Sequence, residues 1–490
     1  MHWQDFNSYT EIDASAARWL KIDSRRRRRE LHALDLSGME FVSSEVALEL
    51  SSTKHVLDLS GLTRLEDCEG HVALVRKLIR QENEYFMPSR WLAFPRLRSL
   101  APGIAGILAK SQKHLAFGLE EIPVETARAL SKAHGSVVFQ RVENMGAEAA
   151  VALSATRGNL VFEAIKTPND CIAAALANTV GVLELPGLTE LNDLPGNVSL
   201  ARKLASQGDV TLDSLTQLSP LAAEHLASSN GMILLNGLTV LDDATAAALS
   251  RTKARFLGLD GLNKLDDSEG HLALAETLAT REEFGGEVIL MGLQQLTEKV
   301  ASVFARNRGP LNLSGIEVMT PSMARVLSQH AGRWLILDGV RELSGNVAAE
   351  WLGCAKADGW DLHLGGVERF ECCESVFKLA VEHKINLGGF WVGEVPHSFI
   401  LGDAGNAFCG RIFDLKPDVA AVLALSISKM DDSVAFWFST LNVRLEFRQL
   451  VEFPDSVGGL RLAKKLALRG GPIIGNWREI KSSLLPGKKF

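Results

Sequence analysis

Aliphatic residues alternate with other residues at the start of a unit that recurs through most of the chain. One complete unit begins at Ile233 with the pattern Ile-x-Leu-x-Gly-Leu-x-x-Leu, and the next begins at Leu257. Alternation with period two predicts a strand with one buried face, and the glycine after it predicts a sharp turn that needs positive φ. The Ala-rich stretch that follows predicts a short helix capped by Asp242 or Asp243. Neither piece buries its apolar face alone, so each unit must stack on its neighbours.

Units of this kind recur at a commonest spacing of about 23 residues. The predicted strands open at Leu34, Leu57, Leu92, Leu115, Val137, Leu160, Leu183, Val210, Ile233, Leu257, Val288, Leu311, Leu335, Leu362 and Ile385. Helix starts are predicted where a hydroxyl residue precedes proline, at Thr167-Pro168, Ser219-Pro220 and Thr320-Pro321.

The repeated L-x-L-x-G-L-x-x-L units, with their Ala-rich helical half, resemble leucine-rich-repeat proteins in a bacterial-type variant, over residues 32–393. The resemblance implies an α/β fold: a curved, horseshoe-shaped solenoid with a parallel β-sheet on the concave face and helices on the convex face. Glycine stands where the family usually has asparagine in the turn, so a continuous asparagine ladder is not expected. The family mostly binds proteins, and the resemblance transfers no catalytic residue.

The two ends of the chain depart from the repeat. Residues 1–31 predict an amphipathic helix that caps the first repeat, with an apolar stripe of Ile12, Ala16, Trp19 and Leu20. Residues 394–490 retain only traces of the pattern and predict degenerate repeats that form a C-terminal cap; a small separate domain is the alternative.

Five consecutive arginines, Arg25–Arg29, follow the predicted N-terminal helix. Such a run suits a phosphate-binding arm, an anionic-lipid contact or a targeting signal. The other interpretation is a solvated turn between cap and first repeat. The net charge of −7 gives no global argument for nucleic acid or an anionic membrane as partner, which favours the turn.

The residues that alternate with the buried aliphatics face outward along the predicted concave sheet, and their charged members are acidic. Leu234, Ile289, Met291 and Ile336 are apolar exceptions expected to form one patch. This pattern predicts a non-catalytic module that binds a protein or peptide with basic groups around an apolar anchor, and it disfavours nucleic acid in the groove. The alternative is a merely solvated sheet whose aliphatics are covered by the C-terminal segment. The predicted partner-binding residues are Glu184, Asp213, Leu234, Asn236, Asp260, Ile289, Met291, Ile336 and Asp338.

The sequence contains no recognisable catalytic motif, so we expect no catalytic, cofactor or metal site and no enzyme activity. Glu69 with His71, and Glu269 with His271, are interpreted as parts of a lengthened loop and helix start rather than acid–base or metal pairs. A Ser426-x-x-Lys429 spacing has no supporting residues. Histidines 363, 383 and 397 lie near cysteines 372, 373 and 409 in sequence without zinc-ligand spacing. The alternative function is a substrate-targeting array with an unrecognised activity in residues 394–490.

The six cysteines are scattered, and the chain shows neither a signal-peptide pattern nor an apolar run long enough to span a membrane, so a cytoplasmic protein is expected. A stability contrast tests the predicted register. Leu235→Asp is expected to cost more than ~3 kcal/mol, because it buries a charge. Asn236→Asp, on the exposed face, is expected to be nearly silent.

Overall fold

The structure, a computed structural model, forms two compact units, Met1–Gly258 and Leu259–Phe490. Short strands alternate with helices along each unit, and strands of successive repeats pair in parallel. This arrangement is an α/β leucine-rich-repeat solenoid, as the sequence predicts. The structure describes residues 9–26, 33–81, 90–281, 286–352, 361–366, 369–370, 386–387, 390–391, 438–439, 461–462 and 465–466.

The strands are two to four residues long. In chain order they are β1 (Ala33–Asp35), β2 (Val56–Asp58), β3 (Arg64–Leu65), β4 (Trp91–Phe94), β5 (Ser99–Leu100), β6 (His114–Phe117), β7 (Val137–Phe139), β8 (Leu160–Phe162), β9 (Leu183–Glu184), β10 (Glu190–Leu191), β11 (Val210–Thr211), β12 (Gln217–Leu218), β13 (Met232–Leu234), β14 (Phe256–Gly258), β15 (Lys264–Leu265), β16 (Val288–Ile289), β17 (Gln295–Leu296), β18 (Leu311–Asn312), β19 (Trp334–Ile336), β20 (Glu342–Leu343), β21 (Asp361–His363), β22 (Arg369–Phe370), β23 (Asn386–Leu387) and β24 (Phe390–Trp391).

The helices are short, and among the described residues none is long and apolar enough to cross a membrane. They are α1 (Ala14–Arg26), α2 (Ser44–Ser51), α3 (Glu69–Arg80), α4 (Pro102–Ala109), α5 (Val124–Leu130), α6 (Ala147–Ser154), α7 (Asp170–Ala177), α8 (Pro195–Ala205), α9 (Pro220–Leu226), α10 (Asp243–Leu249), α11 (Glu269–Ala279), α12 (Glu298–Phe304), α13 (Pro321–Leu327) and α14 (Gly345–Leu352).

The strand register follows the hydrophobic pattern. Ile233, Leu235 and Leu238 are fully buried, so the burial predicted for Leu235 is confirmed. The aligned openings are Leu34 with Leu57; Leu92 with Leu115, Val137, Leu160 and Leu183; Val210 with Ile233 and Leu257; and Val288 with Leu311, Leu335 and Leu362.

The last predicted repeat departs from this pattern. Ile385 lies outside the described residues, and the strand after it, β23, pairs antiparallel with β24, whereas a further repeat would pair in parallel. The residues after the turns form a second set of strand pairs. The alternation of aliphatic residues does not predict this set. The set joins β3 to β5, β10 to β12, β15 to β17 and β20 to β22, each over two residues in parallel.

The turn glycines are required for a different reason from the one that the sequence suggests. Gly237 does not adopt the positive φ predicted for it. Instead, a Cβ at Gly237 would lie 2.7 Å from the carbonyl oxygen of Leu215 and closer still to that of Asp213, in the preceding turn. Gly61 likewise lies against the carbonyl oxygen of Ser37. Successive turns stack so closely that only a residue without a side chain fits between them.

The main sheet of the first unit is interrupted twice, and a glutamine side chain binds the strand edge each time. β2 and β4 belong to different sheets, as do β9 and β11. Gln81, 24 residues after Leu57, accepts the Leu57 N–H at 3.1 Å and donates to the Leu57 carbonyl at 2.7 Å. Gln207 makes the same pair of hydrogen bonds to Leu183, at 2.7 and 2.9 Å.

The repeats of the first unit that lack the turn glycine share a buried column of phenyl rings. Phe94, Phe117, Phe139 and Phe162 are at most 1% exposed, and consecutive ring centroids lie 6.4, 6.1 and 5.1 Å apart. Each ring takes the second inward position of its strand, where other repeats carry leucine. Aromatic stacking at these spacings adds to the stabilisation from burial.

Helix starts follow the predicted capping chemistry with one exception. The side chains of Asp242, Ser219 and Thr320 accept N–H groups of α10, α9 and α13 respectively. The predicted start at Thr167-Pro168 is wrong, because Asn169 accepts the Ile172 N–H and α7 begins after it. Asparagine is the stronger capping residue, which explains the later start.

The N-terminal helix α1 packs against α2, and its residues Ala17 and Leu20 are fully buried. Trp19, predicted to belong to the apolar stripe, is 45% exposed. On the outer side, Arg18 and Lys21 pair with Glu49 of α2 at 3.2 and 2.7 Å. The hydrogen bond from Lys21 is the largest of the effects that lower the pKa of the Glu49 carboxyl. Residues 27–29 and the side chains of Arg25 and Arg26 lie outside the described residues, so the role predicted for this run stays a prediction.

Candidate binding face

We define the strand face as the surface formed by residues of the main strands and the following turns that alternate with the buried core positions. In the first unit, Glu184 and Asp213 are exposed on this face, and Leu234 and Asn236 are half-buried. The residues on either side of Leu234, Ile233 and Leu235, are fully buried. The alternation therefore places the predicted residues of this unit on the surface that the sequence assigns to them.

An apolar cluster occupies the strand face of the first unit at β13 and β14. A Cβ placed on Gly258 would lie 2.9 Å from Leu234 Cδ2 and 3.3 Å from Phe256 Cε1. The side chains of Leu234 and Phe256 therefore cover Gly258, which has no side chain. Met232, two residues before Leu234 on the same face, is 37% exposed. We call Met232, Leu234 and Phe256 the first apolar cluster.

Two carboxylates flank the first apolar cluster. Asp213 Oδ1 accepts a hydrogen bond from Asn236 Nδ2 at 2.9 Å, and Asp209 Oδ1 accepts the Met232 N–H at 2.9 Å. The Asp213 contact changes the expectation for Asn236→Asp. That substitution removes a donor and brings two carboxylates together, so it will not be silent.

The second unit presents another apolar group on its strand face. Ile289 and Ile336 occupy register positions on either side of Asn312, so they are separated by two strand spacings, about 10 Å. Met291 is 50% exposed and Trp334 is 42% exposed. We call Ile289, Met291, Trp334 and Ile336 the second apolar cluster. Of the four residues that the sequence predicts as one patch, Leu234 belongs to the first unit and the other three to the second, and the single patch stays a prediction.

In the second unit, contacts within the chain use some of the hydrogen-bond acceptor positions of the acidic residues. Asp338 is exposed, and its Oδ1 accepts the Gly365 N–H at 2.6 Å. Asp260 is half-buried. An ionised carboxylate offers about four acceptor positions, so one internal hydrogen bond leaves Asp338 able to accept others.

Several large residues of the strand face were missed by the sequence argument, which considered only positions after each strand opening. The residue immediately before the opening shares the same face, because side chains alternate with period two. Extending the alternation back by one residue would have found them. The large side chains in this row are Trp91, His114, Val182, Met232, Phe256 and Trp334.

Some acidic residues near the start of the strand face build turns. Asp35 Oδ1 accepts the Ser37 N–H and Asp58 Oδ1 accepts the Ser60 N–H, both at 2.9 Å. Asn312 makes the same turn, accepting the Ser314 N–H at 3.1 Å. These contacts give the acidic residues a structural role beside any role in binding.

The two Glu–His pairs have the structural role that the sequence suggests. His71 is almost fully buried; its Nδ1 accepts the Glu66 N–H at 2.9 Å, and its Nε2 donates to the Val42 carbonyl at 2.7 Å. His271 is equally enclosed, with Nδ1 2.8 Å from Asp266 Oδ1. The Ser268 side chain and the Ser268 backbone N–H, which donates to Asp266 Oδ1 at 3.1 Å, together with His271 hold the pKa of Asp266 well below its usual range. These histidines join a strand end to the following helix.

Within the described ranges, no group of three or more His, Cys, Asp or Glu side chains is arranged to hold a metal ion. Cys68 and Cys171 are free thiols. The remaining predicted groups, cysteines 354, 372, 373 and 409, histidines 383 and 397, and the Ser426–Lys429 pair, lie outside the described residues. His363 is exposed on the strand face at β21.

No protein-family model matches the chain, and no curated protein matches its sequence. Among solved structures, the chain is similar to an internalin from Listeria monocytogenes, at 11% sequence identity and a TM-score of 0.33. The similarity covers 60% of this chain and 81% of the internalin chain. At that level it carries no argument about binding or activity. The parallel register of the repeats, their buried aliphatic positions and their stacked turns identify the fold as a leucine-rich-repeat solenoid.

Proposed function

We propose that this chain is a non-catalytic repeat module that binds a protein or peptide on its strand face. The observation that carries the proposal is the exposure of large side chains on the strand face of each unit, Met232 in the first and Met291 and Trp334 in the second. Tryptophan and methionine are enriched at protein interfaces, and tryptophan is a frequent source of binding energy there. Each apolar cluster has acidic neighbours, which suits a ligand with basic groups around an apolar anchor.

The ligand class follows from the charges on the face. Asp213 and Asp338 are exposed and each keeps acceptor positions beyond its internal hydrogen bond. Approach of a basic ligand is accelerated by such charges and is weakened by added salt. Nucleic acid is a poor ligand for this face, because its phosphates would meet carboxylates. The proposed contact residues are Glu184, Asp213, Leu234, Asn236, Asp260, Ile289, Met291, Ile336 and Asp338, to which we add Met232, Phe256 and Trp334.

The division of the chain into a cap at 1–31, repeats at 32–393 and a C-terminal cap at 394–490 remains part of the proposal. Most residues after 391 lie outside the described residues, as does most of Arg25–Arg29. An activity within 394–490 is therefore the second hypothesis that the experiment must separate from binding on the repeats.

Affinity capture from lysate of the source organism tests the proposal. Wild-type protein is compared with Trp334→Arg, which places a charge in the second apolar cluster. The matched control is Val318→Arg, because Val318 is 80% exposed in the same unit but lies outside the strands. Met232→Arg and Val240→Arg form the corresponding pair in the first unit, since Val240 is 62% exposed.

A protein captured by wild type and by both control variants, but lost from a strand-face variant, supports the proposal and identifies the ligand. If the same proteins are captured by all variants, the strand face is not the binding site. Repeating the capture with a variant truncated after residue 393 then tests whether the C-terminal segment is responsible.

A further inference from the structure

The first interruption of the sheet opens a cavity on the strand face of the first unit. Where β4 would lie beside β2 in an unbroken sheet, the edge of β2 is instead bound by Gln81. The space between the strands has a volume of about 260 Å³ and is lined by residues that include Leu57, Asp58, Leu78 and Trp91. We call it the break pocket. Small-molecule sites usually measure roughly 300–1,000 Å³, so this pocket suits a group the size of one side chain.

The lining of the break pocket combines an apolar floor with one charge. Leu57, Leu78 and Phe94 are at most 2% exposed and form its inner surface. Asp58 is the single ionisable residue among the described lining residues. Its Oδ1 accepts the Ser60 N–H, which leaves Oδ2 and further lone pairs for a ligand.

Trp91 supplies an aromatic wall. One side of its indole stacks on His114, with ring centroids 5.0 Å apart, and the residue as a whole is half-buried. A tryptophan face attracts cations, and arginine stacks on it better than lysine because the guanidinium is planar. A carboxylate close to such a face can also accept two hydrogen bonds from the guanidinium fork.

Lys113 and Arg90 are basic residues beside the break pocket, and neither of them lines it. The ammonium group of Lys113 lies nearby but donates to the backbone carbonyl of Gln81 at 3.0 Å and does not line the pocket. Arg90 is exposed at the start of β4.

We propose that the break pocket receives an arginine side chain of the protein ligand, with its guanidinium between Asp58 and Trp91 and its aliphatic part on the leucine floor. The inference rests on the proposed function, since the arginine is carried by the ligand of the strand face. The ligand must therefore present an arginine beside the sheet interruption.

The test uses the full chain and a small probe, Nα-acetyl-arginine methylamide, with the citrulline analogue as its neutral near-isostere. Binding is followed by the indole N–H resonance of Trp91 in isotope-labelled protein, assigned with Trp91→Phe. We expect a saturable shift with a Kd on the order of 1 mM for arginine. We expect binding at least about threefold weaker for citrulline, and weaker arginine binding at high salt.

Asp58→Asn provides the critical variant, because asparagine can keep the turn while losing the charge. Asn312 makes the same turn with Ser314 in this chain. We expect Asp58→Asn to weaken arginine binding at least about threefold. The matched control, Asp35→Asn, alters the equivalent turn one repeat earlier, outside the pocket lining, and is expected to leave the affinity unchanged.

Three results would overturn the assignment: no saturable shift of Trp91, equal binding of arginine and citrulline, or equal effects of the two Asp→Asn variants. The first would also arise if a segment of the chain itself fills the pocket. These outcomes are independent of the capture experiment. If Trp334→Arg abolishes capture while the probe fails to bind, only the pocket is misassigned; if the probe binds while capture is unaffected by strand-face variants, the proposed function fails.

Discussion

The side-chain amide of Gln81 takes the place of a neighbouring strand's peptide group beside Leu57. It accepts the Leu57 N–H at 3.1 Å and donates to the Leu57 carbonyl at 2.7 Å. Gln207 does the same for Leu183 at the second interruption of the sheet. Buried backbone groups are costly when unpaired, so each glutamine allows the sheet to stop without that penalty.

Gln81→Ala should therefore loosen β2. Loss of two hydrogen bonds with a net value of about 0.5–1.5 kcal/mol each predicts destabilisation of about 1–3 kcal/mol. Amide hydrogen exchange is the appropriate measurement, and the Leu57 amide should exchange at least about tenfold faster. Gln294→Ala, at an exposed glutamine of the second unit, serves as control. Unchanged exchange at Leu57 would show that the amide contact does not stabilise the strand edge.

The buried register can be tested at Leu235, which has no exposed surface. Leu235→Asp should lower the free energy of unfolding by more than ~3 kcal/mol, since the carboxylate is placed among aliphatic side chains. Urea denaturation measures the loss. Thr239→Asp, at an exposed turn position of the same repeat, is the control and should change stability by less than about 0.5 kcal/mol. Similar losses at both positions would contradict the register.

The stacking of turns predicts opposite effects at two glycines of the first unit. Gly237→Ala should destabilise by more than about 2 kcal/mol, because its Cβ would overlap backbone carbonyl oxygens of the preceding turn. Gly106→Ala, inside α4, should stabilise by about 0.4–1 kcal/mol, because its Cβ would meet only Ala129 Cβ at 4.0 Å. Thermal and urea unfolding of both variants check the signs. A stable Gly237→Ala variant would rule out close approach as the reason for the glycine.

The lowered pKa of Asp266 predicts a pH-dependent contribution to stability. Ser268 is the largest cause of the shift, through its side chain and its backbone N–H, which donates to Asp266 Oδ1. Because the folded-state pKa is below the ordinary value of 3.8, the contribution is fully present above that pH and is lost as the pH falls through the lower, folded-state pKa. The stability difference between wild type and Asp266→Asn should therefore be constant near neutral pH and shrink on acidification below about pH 4.

Chemical denaturation at a series of pH values measures that difference. Ser268→Ala removes the side-chain hydroxyl beside Asp266 and should reproduce part of the pH dependence seen for Asp266→Asn. A difference between wild type and Asp266→Asn that is independent of pH down to pH 2 would be incompatible with the assigned hydrogen bonds.

The local pattern of the chain was enough to predict much of the fold and part of the candidate site. Alternation around Ile233 and Leu235 is a property of neighbouring residues, so it specifies which side of each strand is buried. The same alternation placed Asp213 and Leu234 on the strand face. The period of the repeat then specified which strands align, because identical units stack in identical register.

Contacts between residues far apart in sequence decided the rest. No local signal shows that Gln81 binds the edge of β2, that Asn236 bonds to Asp213, or that Gly237 lies against the carbonyl oxygens of the preceding turn. Each depends on the distance between adjacent repeats, which packing sets. The large exposed side chain of Trp334 was visible in the sequence, but its exposure depends on the neighbours that the fold provides. The sequence alone thus determined the repeat, its register and its buried face; only the tertiary structure decided where the sheet is interrupted and which outward residues remain available to a ligand.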